Sequence, residues 1–124
     1  MTPIDASPAE ALSAVLAAMP STLSANTQLH LLVRQGLDRL PLPGRGATRV
    51  RWQALAEVAE HDLSLAKLYE GHTDALAILA ELGLPDEARS GDTWGVWASE
   101  GPDGRVVFEP QSSNTVTLQG TKHW

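Results

Sequence analysis

Between Asp62 and Gly83 the chain is apolar almost all the way around a helical wheel. Leu65, Leu68, Tyr69, His72, Ala75, Leu76, Leu79 and Leu82 cover most of it, while Lys67, Glu70, Asp74 and Glu81 share one narrow stripe. So thin a polar stripe predicts a helix surrounded by partners rather than one lying on a surface. Asp62 can accept the free amide hydrogens of the first turn. Gly83, followed by Pro85, supplies a left-handed stop and then a breaker. This stretch is read as the central helix of an α-helical layer.

Three further helices precede it. Ser7-Pro8-Ala9-Glu10 spells a capping box with proline at the first helical position. Leu12, Val15, Leu16 and Met19 give that helix a buried stripe, and Pro20 stops it. A second helix is predicted over residues 26–40, with Leu29, Leu32, Val33, Leu37 and Leu40 on one side. Gly36 falls inside it, at a cost of about 1 kcal/mol of helix propensity, acceptable where another helix crosses closely. Pro41-Leu42-Pro43-Gly44-Arg45-Gly46 is a loop. A third helix over 49–60 is expected to bury Trp52, Leu55, Ala56 and Ala59.

Beyond Pro85 the pattern changes. Residues 86–92 are polar and contain Gly91. Residues 93–100 are apolar on both faces, as in an interior strand. Gly101-Pro102-Asp103-Gly104 is a turn. Residues 105–109 and 115–119 alternate, with Val106 and Phe108, then Val116 and Leu118, on one face. The expected class is α+β: a four-helix N-terminal layer, then a short antiparallel three-stranded β segment. The expected division is a helical domain (1–85), a linker (86–92) and the first strands of a β domain (93–124). Three strands leave two open edges, so this β segment reads as started and not finished.

Composition narrows the classes. The 124 residues are 43% hydrophobic, sufficient for one ordinary domain. Net charge is −6 and the nine basic residues are scattered, so no basic face is set to meet nucleic acid. Cysteine is absent, which excludes disulfides and thiolate metal sites. No leader-like start and no apolar run of about 18–20 residues occurs, so a cytoplasmic protein is expected. The four histidines lack metal-ligand spacing, and no serine sits in a nucleophile–base pattern, so no catalytic or metal residue is assigned. His72, opposite the charged stripe, reads as a hydrogen-bonded core histidine. Glu60-His61-Asp62 reads as a capping cluster. The Lys67, Glu70 and Asp74 stripe reads as a solvated face.

The ordered set of residues then points to a family. The helical lead-in, followed by Asp92-Thr93-Trp94-Gly95-Val96-Trp97-Ala98-Ser99-Glu100, a hairpin, and Gly120-Thr121-Lys122-His123-Trp124, resembles the acyl-CoA dehydrogenases. The resemblance covers residues 47–124. It implies the N-terminal helical domain and the start of the middle β-barrel of an FAD-dependent flavoprotein that desaturates an acyl-CoA thioester and passes electrons to an electron-transfer flavoprotein. Carried over by position, it implies that Val96, Ala98 and Ser99 lie along the flavin's pyrimidine edge and that Trp124 packs on the ring. It also offers an alternative for the Lys67, Glu70 and Asp74 stripe, as the wall of a polar acyl pocket. The chain departs from the family at Ser99-Glu100-Gly101-Pro102-Asp103-Gly104, where a Gly-Ser-Asp run is usual. The glutamate base and the opposite wall lie outside these 124 residues in the family's order, so this polypeptide by itself is expected to be inactive and to bind FAD weakly or not at all. The competing expectation is a non-enzymatic interaction module whose open strand edges pair with a second copy or with another chain.

Overall fold

In the computed structural model, residues 6–84 and 91–122 are described; Trp124 and most of the expected linker lie outside them. The elements are α1 (Pro8–Ala18), α2 (Ala25–Arg34), α3 (Thr48–His61), α4 (Leu63–Glu81), β1 (Val107–Ser112) and β2 (Thr115–Gln119). The class is α+β, with four helices and a two-stranded antiparallel sheet among the described residues.

Three helix starts rest on side chains that satisfy otherwise unpaired amides. Ser7 accepts from the Glu10 N–H while the Glu10 carboxylate accepts from the Ser7 N–H, closing the capping box. Ser24 accepts from the Thr27 N–H at the start of α2. Asp62 accepts from the Leu65 N–H at 2.6 Å, and its own extended backbone (φ −159°, ψ 123°) separates α3 from α4.

Helices α2 and α4 end in the same way. Gly36 and Gly83 take φ of 71° and 75°, each amide bonding back to a carbonyl three residues earlier. The next amide in each case, Leu37 or Leu84, bonds back to Leu32 or Leu79. The expectation of a helix through residue 40 with Gly36 inside is thereby corrected. Gly36 ends α2, because only a residue without Cβ enters the left-handed region freely.

Helix α1 packs on α3, α3 on α4, and α4 on α2. Leu12, Leu16, Leu32, Val58, Leu65 and Tyr69 form the centre of the core. Two burial expectations are also corrected. Trp52 is 67% exposed and Ala56 is exposed, whereas Arg51, Ala54 and Val58 face inward with Leu55 beside them. The inward stripe of α3 keeps helical spacing but begins on an arginine that finds polar partners inside. On α4, Leu65, Tyr69, His72 and Leu76 are buried, yet Leu68 and Ile78 are only partly covered and Leu63 and Leu82 are exposed. Among the described residues α4 thus has partners in α2, α3 and the segment 93–98, while its two ends stay open at Leu63 and Leu82.

The expected third strand is not formed among the described residues. Residues 93–100 take no regular secondary structure and join no ladder. The physical reason is visible at Trp94, whose amide is taken by a side chain of α4 instead of a neighbouring strand. The turn at 101–104 closes as expected, with the Gly104 N–H donating to Gly101 O. Strand β1 begins two residues later than the alternation suggested and runs to Ser112. Phe108 pairs with Leu118 and Pro110 with Val116, and a one-residue bulge at Gln111 follows, a place that tolerates proline's missing donor. Phe108, Val116 and Leu118 thus share one face, and every residue of both strands is exposed. Gly120 passes so close to Arg105 O and Val106 Cα that no side chain fits there.

Candidate functional site

The irregular segment 35–47 is held from below by polar side chains of α3 and α4. The Tyr69 hydroxyl donates to Leu37 O at 2.6 Å. Burial, and then the Asp38 carboxylate beside it, push that hydroxyl's pKa well above its ordinary value, so it stays a donor. Arg51, buried on α3, donates to Pro41 O, to Thr73 Oγ1 and, at 2.7 Å, to Asp74 Oδ1. Gln28 donates to Leu23 O and pairs through Oε1 with His61 Nε2 at 3.0 Å, which ties α2 to the end of α3. Such buried polar groups fix a loop because leaving one unpaired costs more than the bond itself contributes.

At the centre of this network is His72, fully buried on α4. Its Nδ1 lies 3.0 Å from the Trp94 amide nitrogen, and its Nε2 lies 3.0 Å from Asp38 Oδ2. A backbone N–H can only donate, so Nδ1 must accept. In the neutral ring the proton then sits on Nε2 and is donated to Asp38. One imidazole therefore joins three separated parts of the chain: the segment after α2, the central helix, and the segment 93–100.

That junction places the segment 93–100 across α4 and creates clefts on both sides of it. One, of about 330 Å³, is lined by Leu29, Lys67, Leu68, Trp94, Val96 and Trp97, among others. The other, of about 300 Å³, brings Ala75, Ile78 and Leu79 against Val96 and Ala98. A wider groove of about 580 Å³ lies between Trp97, Glu100 and Lys122 and the apolar hairpin face of Val106, Phe108 and Leu118. The Trp97 indole folds back over Gly95, in space that a Cβ at that position would occupy.

Of the residues assigned from the sequence, Val96 and Ala98 are brought together beside α4. Ser99 is exposed, with its carbonyl accepting from Lys122 Nζ at 3.1 Å. Trp124 lies outside the described residues. The charged stripe divides: Lys67 pairs with Glu70 at 2.9 Å on the surface and also lines the first cleft, whereas Asp74 turns to Arg51. His72 is the hydrogen-bonded core histidine that its position suggested, and Asp62 is the cap. Asp38 and Arg51 were not singled out. A signal existed for each: Asp38 falls between Leu37 and Leu40, and Arg51 begins an inward stripe with Ala54, Leu55 and Val58.

Among the described residues no helix is long and apolar enough to cross a membrane, and no group of three His, Cys, Asp or Glu side chains could hold a metal ion. Compared with protein-family models, with curated proteins and with solved structures, the chain matches none.

Proposed function

We propose that this chain supplies the N-terminal helical domain and the first β wall of an acyl-CoA dehydrogenase-like flavoprotein, a cytoplasmic enzyme that desaturates an acyl-CoA thioester with FAD. The observation that carries the reading is the way Trp94 is pinned to His72. It lays Val96 and Ala98 along α4 while Trp97 stays 60% exposed beside an uncovered apolar hairpin face. A segment with aromatic and small apolar side chains offers one face to a flat ring. The buried Trp94 Nε1, which makes no hydrogen bond among the described residues, is a donor suited to a polar ring edge. These residues fit one side of a flavin. The flavin would supply the hydride chemistry, while Val96, Ala98, Ser99 and Trp124 would orient it. The opposite wall and the base that removes the acyl α proton would come from elsewhere, and an electron-transfer flavoprotein would accept the electrons.

The β segment, in this reading, is the beginning of a barrel whose remaining strands cover Phe108, Val116 and Leu118. The test is expression of the chain together with any sequence encoded in frame beyond Trp124, followed by flavin absorbance and its bleaching by an acyl-CoA. A folded protein that takes up no flavin contradicts the reading. The 124-residue chain alone is expected to be colourless and inactive. Stoichiometric FAD on it would overturn the assignment of a single wall.

A second reading is favoured by the exposed hairpin face: a non-enzymatic module that pairs with a second copy or a separate chain through it. A stable, soluble homo-oligomer that disperses when Phe108 and Leu118 are both replaced by serine would support that reading over the first.

A further inference from the structure

We propose that His72 is a protonation-sensitive latch that holds the segment 93–97 against α4 when neutral and releases it when charged. The geometry requires Nδ1 to be unprotonated, because it accepts the Trp94 N–H at 3.0 Å. A proton added there sets two donors against each other, and neither can turn into an acceptor.

The surroundings decide which side yields. On the Nε2 side, Asp38 Oδ2 at 3.0 Å still accepts from a charged ring, and gains attraction from it. Arg39 Nε stands 3.6 Å from the other Asp38 oxygen. From α4 itself, Tyr69 sends its hydroxyl to Leu37 O, and the Lys67–Glu70 pair lies at the surface. From α3, Arg51 is turned to Asp74. Asp92 lies two residues before Trp94 on the released segment. The ring is thus held by α4 and Asp38, whereas residues 93–97 join no ladder and Lys122 holds the segment farther along, at Ser99 O and Glu100. The segment moves, and with it the clefts that Trp94 and Val96 line. This latch does not depend on what occupies those clefts.

The test is an NMR titration of the intact chain across the pH range in which it stays folded. It follows the His72 ring, the Trp94 amide and the α4 amides together. The protection factor of the Trp94 amide is expected to fall roughly tenfold or more as the ring titrates, the loss of a buried hydrogen bond. The amides of Leu65 and Leu76 should keep their protection.

Two variants sharpen it. His72→Asn keeps an acceptor near the Nδ1 position without a titrating proton, and should make Trp94 protection independent of pH. His72→Gln keeps a donor toward Asp38 but not the acceptor, and should leave Trp94 unprotected throughout. If either variant does not fold, the wild-type titration decides alone. A Trp94 amide that stays protected while the ring titrates overturns the latch. So does a ring that takes up its proton only when the whole chain unfolds.

Discussion

The helical layer and the hairpin are built from the same chain but obey different accounts. In the helices, polar side chains reach inward. Tyr69, His72 and Arg51 bind the backbone and Asp38 of a loop that has no regular structure, above a core of Leu12, Leu32, Leu65 and Val58. In the hairpin the backbone ladder forms on both sides of a bulge, yet Phe108, Val116 and Leu118 lie in the open. Secondary structure alone therefore does not make a stable unit here. What separates the two regions is whether an apolar face has found a cover, and a two-stranded ribbon without one is marginal.

The comparison can be broken most forcefully with paired truncations. Leu65→Ala empties a fully buried site in the helical core and should lower unfolding free energy by about 2–5 kcal/mol in chemical denaturation. Phe108→Ala, on the uncovered face, should change it by less than about 0.5 kcal/mol. Equal losses would mean that the hairpin is packed in solution. Next in size is Arg51→Met, which removes the buried guanidinium from Pro41 O, Thr73 and Asp74. A loss of about 2 kcal/mol is expected. Lys67→Met, which breaks only the surface pair with Glu70, should leave the melting temperature unchanged.

Gly120→Ala acts on the other region. Its methyl would strike the Arg105 and Val106 backbone, and its φ of 141° favours glycine. The change should destabilise the hairpin by more than about 1 kcal/mol while circular dichroism of the helices stays the same. A smaller effect is expected at the edge of the helical layer. The Ser7 backbone N–H, and then its hydroxyl, hold the Glu10 pKa below its ordinary value. The box thus contributes stability above the ordinary glutamate range that is lost as pH falls through the lowered folded value. Glu10→Gln should slightly flatten the acid side of a melting-temperature profile taken at several pH values.

What was legible in the sequence was what neighbouring residues decide among themselves. The Ser7–Glu10 box, the Asp62 cap, the Gly83 stop and the alternation of 115–119 are local, and each forms as its residues imply. Gly36 was misplaced because a glycine within a run of leucines reads equally as an interior residue or as a stop, and the turn of the chain decides. Trp52 and Arg51 exchanged places because burial is set by partners on other elements. Here Pro41 O, Thr73 and Asp74 make an inward arginine affordable, while the Trp52 indole stays largely exposed. The strand expected at 93–100 depended on a neighbour far away in sequence, and its first amide contact went to His72. The candidate site follows the same rule. Val96 and Ala98 could be assigned only through a family resemblance, and the Asp38–His72–Trp94 junction that positions them spans segments that no spacing rule connects.

Residue-resolved hydrogen exchange on the intact chain measures the contrast most directly. Amides at Leu65, Tyr69 and Leu76 should exchange only through global unfolding, while those along β1 and β2 exchange orders of magnitude faster through local opening. Strand amides protected to the same free energy as α4 would show a β unit that is sufficient by itself, and the account of a single uncovered wall would be wrong.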